Sequence, residues 1–159
     1  MLEEQRFDVR IHDRVSFQSG EPLLDEYLRK YAAQQIAKGI TSAFVLVESN
    51  APGRILGFYT LSAAQIDAED LSEADRKRLP RYPIPCFRMG RLARDLGSRG
   101  QGVGEILMGL AIERCRAAKQ SIAAYALLVD AKNAKAKLFY EKFGFTACSD
   151  SSMSLYMPI

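Results

Sequence analysis

Histidine is almost missing from the 159 residues. The one present, His12, stands near the N-terminus and outside every motif, so a surface or core role is expected of it and not catalysis by imidazole. Cysteine is scarce too: residues 86, 115 and 148 are odd in number and lack metal-ligand spacing. That pattern speaks against a disulfide framework and gives no sign of zinc or another metal, and it suits buried or semi-buried thiols in a reducing compartment. There is no N-terminal apolar h-region and no apolar run long enough to cross a bilayer, so a soluble, cytoplasmic protein with no membrane partner is expected. Internal repeats and low-complexity tracts are absent. From Arg76 to Arg94 acidic residues are absent as well, while seven basic residues (76, 77, 78, 81, 88, 91 and 94) occur there. Because the net charge is only +3, this basicity is local. Such a band is usually a solvated helix end and strand. Here it leads into a glycine-rich loop, is interleaved by Tyr82 and Phe87, and is joined by Lys132, Lys135, Lys137 and Lys142, a pattern that also suits a polyanion.

What is present is enough for one core. With 48% hydrophobic residues the chain reads as a single domain over 1–159. Leu24, Tyr27, Leu28, Tyr31, Ala32 and Ile36 form a helical stripe, with Pro22 in the first turn and Gly39 as the stop. Ser42–Glu48 and Arg54–Leu61 read as paired strands across the turn residues Ser-Asn-Ala-Pro-Gly. Asp67 to Leu79 reads as a short polar helix, with Asp70 and Glu73 as a capping pair and Pro80 after it. A strand over 86–95 changes phase, since Phe87 and Met89 alternate one way and Leu92 the other; a β-bulge eased by Gly90 accounts for that. Val103, Ile106, Leu107, Leu110 and Ala111 make an amphipathic helix, Ile122–Val129 a buried strand, and 145–148 with 153–157 a strand pair joined by the turn Ser149–Ser152.

The most informative stretch is Arg99-Gly-Gln-Gly-Val-Gly104, lying between a strand and a helix. A glycine-rich turn at that place leaves backbone N–H groups aimed at one spot where the helix dipole also favours negative charge, which suits a phosphate. A P-loop fails because Glu105 and Ile106 follow Gly104 instead of Lys and Ser or Thr. A Rossmann fingerprint fails because the third glycine comes one residue early. A plain connecting turn stays possible on these six residues alone. Further on, in Asn133-Ala-Lys-Ala-Lys-Leu-Phe-Tyr-Glu-Lys-Phe-Gly-Phe145, Ala136, Phe139, Tyr140 and Phe143 share one helix face. Gly144 falls where a left-handed C-cap is needed, and on periodicity alone Tyr140 is a core aromatic.

Arg-x-x-Gly-x-Gly followed by Asn-x-x-Ala-x-x-Phe-Tyr-x-x-x-Gly-Phe resembles the two signature motifs of the GNAT superfamily of acyl-CoA-dependent N-acetyltransferases. The resemblance implies an α/β GNAT fold with a central mixed, twisted sheet flanked by helices, and acetyl-CoA as acetyl donor with no metal. It places the pyrophosphate on Arg99, Gly100, Gln101, Gly102, Val103 and Gly104, and the pantetheine arm and acetyl carbonyl on backbone groups of Leu92, Ala93 and Arg94. It makes Asn133 and Phe139 cofactor-positioning residues and Tyr140 the general acid for the departing thiolate. An acceptor α-amine with a pKa of roughly 7.7 to 8.0 is partly neutral near pH 7, so no strong base is required.

Within the superfamily, Phe17-Gln-Ser-Gly-Glu-Pro-Leu-Leu-Asp-Glu-Tyr-Leu28, Ser42-Ala-Phe-Val45 and Arg91-Leu-Ala-Arg-Asp95 resemble the GNAT toxins of bacterial type II toxin–antitoxin modules, the TacT and AtaT type. That resemblance implies acetylation of aminoacyl-tRNA, a block of translation, a ribbon-helix-helix antitoxin, operator DNA reached through that antitoxin, and a homodimer. Arg76, Lys77, Arg78, Arg88 and Arg91 are then the tRNA-facing residues. The alternatives are a GNAT N-acetyltransferase acting on a small-molecule or protein amine, or a non-enzymatic module that has kept the fold.

Overall fold

The computed structural model describes residues 1–149, 151 and 153–159. Positions 150 and 152 of the expected turn Ser149–Ser152 lie outside the described residues. The chain divides into two compact units, one of Met1–Ser62 with Gly90–Ala111, the other of Ala63–Met89 with Ile112–Ile159.

The first unit holds β1 (Leu2–Arg6), α1 (Pro22–Glu26), α2 (Ala32–Ala37), β2 (Ser42–Glu48), most of β3 (Gly57–Ile66), a short strand over Leu92–Arg94, and the start of a long helix at Val103. Pro22 opens α1, where its missing N–H costs nothing, and Gly39 follows α2 with φ of 74°, beyond the reach of most side chains. The helix expected across this region is interrupted by one π-helical turn, Tyr27–Tyr31. The extra residue of that turn shifts the stripe: Leu28 and Ala32 are fully buried, but Tyr31 is 43% exposed.

β2 matches its expected bounds, while β3 begins three residues later than expected and runs five further. β1, which the sequence reading does not contain, pairs antiparallel with β2 and brings Arg6 opposite Phe44. Phe44 in turn stands opposite Tyr59, and Tyr59 opposite Leu92. Phe7, Phe17, Leu28, Ala32, Val45, Val47, Phe58 and Ala93 form this unit's core. On the long helix Val103, Leu107, Met108 and Ala111 are buried, whereas Ile106 and Leu110 of the expected stripe are only half-buried.

The second unit contains α3 (Glu73–Arg76), β4 (Ile84–Met89), the end of the long helix α4 (Val103–Ala118), β6 (Ala126–Asp130), α5 (Ala134–Lys142), β7 (Thr146–Ala147) and β8 (Ser154–Pro158); Leu92–Arg94 is therefore β5. β4 runs parallel to β6, β6 antiparallel to β8, and β8 antiparallel to β7. Ile84, Cys86, Ala126, Leu128, Cys148 and Tyr156 pack with Ile66 and Leu71.

Three expectations are corrected in this unit. The helix over 67–79 is a 3-10 turn at Ala68–Asp70 followed by the four-residue α3, because Leu71 is drawn into the core. The cap is Ser72, whose hydroxyl accepts from the Asp75 N–H at 3.2 Å, and not Asp70. The single bulged strand over 86–95 is two strands that break at Gly90 and Arg91; both border β3, and β4 pairs with β6 as well. The strand expected from Ile122 starts at Ala126, because the N–H groups of Ser121 and Ile122 still bond to Ala118 O at the helix end.

Candidate active site

The approach to the glycine loop is fixed by Asp95. Its carboxylate accepts from the N–H groups of Gln18 and Gly97, both at 3.0 Å, with the Arg54 guanidinium 3.7 Å away. An Asx turn of this kind sets the 3-10 turn Leu96–Ser98. Gly100 and Gly102 then take φ of 78° and 70°, a region open to glycine. A Cβ at Gly100 would meet nothing within 4 Å, so the loop presents bare backbone. The first bond of α4 runs from Ile106 N–H to Gly102 O at 3.0 Å, so the amides of Val103, Gly104 and Glu105 lie ahead of the helix's own ladder. Beside the loop, Ser98 Oγ is buried with no hydrogen-bond partner among the described residues.

On β5 the hydrogen bonds alternate. Asp95 N–H bonds to Leu56 O at 2.8 Å and Thr60 N–H to Arg91 O at 3.1 Å, with Ala93 opposite Phe58 between them. In an antiparallel ladder this pattern turns the Ala93 backbone toward β3 and the N–H and C=O groups of Leu92 and Arg94 away from it. Of the three residues assigned to the pantetheine arm, Leu92 and Arg94 thus have backbone groups facing away from the ladder. Ala93 serves the sheet and the core.

Tyr140 belongs to the second unit. Asn133 caps α5, its Oδ1 accepting from the Ala136 N–H at 2.9 Å, and Gly144 ends the motif with φ of 99°. Tyr140 is 8% exposed, with Phe139 and Phe145 rings 5.6 and 5.7 Å from its own. Burial, and after it the charge of Asp130, pushes its phenol up to about 12, so it holds its proton across the physiological range.

The basic residues separate. Arg76, Lys77 and Arg78 are exposed at and beyond the end of α3, Lys77 with a solvated i,i+4 partner, Glu73, at 3.4 Å. Arg88 on β4 is ion-paired with Asp130 on β6. Arg91, in the other unit, lies over the Tyr27 ring at 3.5 Å, a cation–π contact that occupies its face. His12 is structural: its Nδ1 accepts from the Asp8 N–H at 3.0 Å and its Nε2 lies 2.8 Å from Gln5 Oε1. The three cysteines are free and buried. Burial pushes the thiols of Cys86 and Cys115 up to about 11, far from a reactive thiolate. Among the described residues no cluster of three or more His, Cys, Asp or Glu is placed to hold a metal, and no helix is long and apolar enough to cross a membrane.

Residues 40–147 match the family model described as an acetyltransferase (GNAT) domain. The chain belongs to the GNAT acetyltransferase family. This GNAT chain is 39% identical over 133 residues, 84% of its own length and 78% of the other, to a "tRNA-acetylating toxin" of Mycobacterium tuberculosis. Among solved structures it is similar to a tyrosine-to-phenylalanine mutant of KacT, with TM-score 0.92 and 31% identity, over 99% of this chain and 94% of that one. It is also similar to AtaT complexed with acetyl-methionyl-tRNA, with TM-score 0.91 and 28% identity, over 99% and 95% of the two chains. The α/β fold expected from the two motifs is therefore the fold of the chain, and its activity class is acetyl transfer.

Two acidic residues of the site carry no assigned role in the sequence reading, although Asp95 ends one of the stretches that resemble the toxins. Asp95 could be found from Asp-x-Gly at 95–97, an Asx-turn signal. Asp130 carries only a weak mark, as the first acid after a continuous apolar run.

Proposed function

We propose that this GNAT chain is the toxin of a type II toxin–antitoxin module, moving acetyl from acetyl-CoA to the α-amine of aminoacyl-tRNA and so blocking translation in the cytoplasm. The observation that carries the reading is the 39% identity to a tRNA-acetylating toxin across 84% of the chain. A ribbon-helix-helix antitoxin is the proposed partner, in line with AtaT, which has been solved bound to the C-terminus of its antitoxin AtaR. Operator DNA would be reached through that partner; a similar chain has been solved in a KacTA–DNA complex.

The residues present fit acetyl-CoA. The open backbone at Gly100 and Gly102 and the orphaned Ser98 hydroxyl suit a diphosphate at the start of α4, where the dipole favours anions. Acetyl-CoA, when bound, supplies the activated thioester. Arg99, Gln101, Val103 and Gly104 complete the loop that would hold it, Leu92 and Arg94 would bond the arm through their backbone, and Phe139 and the Asn133 cap keep the Tyr140 helix in place. One proton leaves the amine as its N–C bond forms, and one reaches the sulfur as the C–S bond breaks. A thiol has a pKa of about 8.5, far below a phenol raised to about 12. Tyr140 therefore acts as a hydrogen-bond donor to the departing sulfur and gives up its proton only as it regains one from the amine.

Arg76, Lys77 and Arg78 supply the electrostatic footing for tRNA phosphates. The test offers the purified protein charged tRNA, uncharged tRNA, free amino acids, polyamines and an N-terminal peptide, each with labelled acetyl-CoA. Label confined to charged tRNA supports the toxin reading. Efficient transfer to a small amine or the peptide, with none to charged tRNA, overturns it in favour of an ordinary amine acetyltransferase.

A further inference from the structure

We infer that Asp130 receives the amino group of the acceptor in a cavity at the C-terminal end of the parallel pair β4·β6, and that Arg88 and Ser154 hold its carboxylate for that task. The inference rests on the aminoacyl acceptor proposed above and adds the residue that recognises it.

The cavity has a volume of about 200 Å³ and is lined by Asp67, Arg88, Leu128, Asp130, Ser154 and Leu155 among others. Pockets for drug-sized ligands run to roughly 300–1,000 Å³, so this one has room for an amino-acid-sized group and not for a nucleotide. Its place follows from register. Leu128 and Asp130 share one face of β6 by the two-residue period. Arg88 stands opposite Leu128 on β4, and Ser154 opposite Asp130 on β8. The carboxyl ends of parallel strands are where α/β sheets collect their ligands.

The Arg88 guanidinium donates to Asp130 Oδ2, and Ser154 Oγ donates to Oδ1 at 2.8 Å. Each carboxylate oxygen keeps a further lone pair, and with the Asp130 side chain 54% exposed those lone pairs are open to an incoming N–H. Among the described residues, the cavity that Asp130 lines also takes Arg88 from β4 and Asp67 and Asp70 from the segment after β3. In this described lining, three carboxylates against one guanidinium favour a cation over a phosphate, so Arg88 serves the acceptor's amine through Asp130 and not the tRNA backbone. The charge of Asp130 also bears on the Tyr140 phenol, so the group that would meet the amine is electrostatically coupled to the proposed proton donor.

The experiment measures steady-state acetylation of charged tRNA by the full chain, at several pH and salt values, for wild type, Asp130→Asn, Ser154→Ala and Arg88→Ala. Removing the carboxylate should raise KM for charged tRNA by at least about 10-fold, the worth of a hydrogen bond to a charged group, with acetyl-CoA affinity unchanged by calorimetry. Without the carboxylate the bound ammonium is less favoured, so the acid limb of kcat should move to lower pH. A pair that only rivets β4 to β6 would shift neither. Ser154→Ala should move both readouts in the same direction by less, and it decides the matter if the melting curve shows that Asp130→Asn does not fold. Arg88→Ala should raise KM without flattening its salt dependence. Unchanged KM and acid limb, or a flattened salt slope in Arg88→Ala, would overturn the inference. If wild type labels no charged tRNA but does label another amine, the toxin reading fails separately. The same variants are then read on that amine, where an unchanged KM again overturns the role of Asp130.

Discussion

Gly57 offers a sharp test of how the first half of the site is held. It is buried at the start of β3, where an added Cβ would lie 2.7 Å from Leu107 Cδ1, 2.9 Å from Val103 Cγ1 and 2.8 Å from Ala93 O. The leucine methyl ends a flexible side chain and can swing away. The carbonyl belongs to the β5 backbone, and Val103 is the first residue of α4, so relief there means moving β5 or the helix start. Overpacking of this kind costs about 1–3 kcal/mol. In a chain of this size each kcal/mol lowers Tm by roughly 2–4 °C, so Gly57→Ala should lose about 2–12 °C. The same displacement misaligns the Leu92 and Arg94 backbone groups and the α4 amides, so acetyl-CoA should bind more weakly by calorimetry. Gly109→Ala is the control: a Cβ there meets nothing within 4 Å, and the better helix propensity of alanine should leave Tm equal or raise it. A Gly57→Ala protein with Tm within about 1 °C of wild type and undiminished acetyl-CoA affinity would refute the claim that close approach at this glycine seats β5 and α4.

Tyr140→Phe keeps the ring between Phe139 and Phe145 but removes the donor, so turnover should fall by about 10²-fold or more while Tm stays close to wild type; unchanged turnover would return Tyr140 to the core. Neutralising Arg76, Lys77 and Arg78 together should raise KM for charged tRNA and reduce the steepness of its dependence on salt by up to about 0.7–0.9 per lost phosphate contact, with acetyl-CoA binding unaffected. Burial lowers the pKa of His12 below its ordinary value of about 6.5. The unfolded chain therefore takes up a proton before the folded one does, and the stability tied to neutral His12 is complete above about pH 6.5 and is lost as pH falls through the folded value. Melting curves between about pH 7 and 5 should show a decline that His12→Gln flattens, and parallel curves would contradict the burial argument.

The elements that sequence reasoning located well are those whose signal is local. β2 is a continuous apolar run closed by turn residues, and α5 carries both its cap, Asn133, and its stop, Gly144. The misplaced ones depended on distant partners. β1, Leu-Glu-Glu-Gln-Arg, has almost no apolar pattern because it is an exposed edge whose existence rests on the β2 backbone 40 residues on. The phase change between Met89 and Leu92 is visible, but one chain cannot show that the pairing is interrupted there, with both pieces bordering β3 and only β4 pairing with β6. A bulge and a break leave the same letters. The π turn at Tyr27–Tyr31 left no mark either, since an added residue in a helix alters which side chains face inward and not which residue types are used.

The site divides along the same line. The loop 99–104 is legible because its proposed work would be done by backbone, and backbone that must adopt positive φ and stay bare has to be glycine, so such a role writes itself into residue type. The proposed role of Tyr140 is legible only by resemblance: a ring on an apolar face satisfies packing and proton donation with the same letter, and its burial and the nearby charge of Asp130 belong to the folded surroundings. Along the sequence the basic band is one stretch, yet Arg88 spends its charge on a carboxylate 42 residues away and Arg91 on an aromatic ring. Charge counted along a chain gives the supply of cations but not their commitments, because an ion pair or a cation–π contact depends on register between elements. Of the five basic residues first assigned to tRNA, Arg76, Lys77 and Arg78 therefore have the stronger claim. They sit on a short exposed helix end where the Lys77–Glu73 ion pair is solvated, and there a phosphate can compete at little cost.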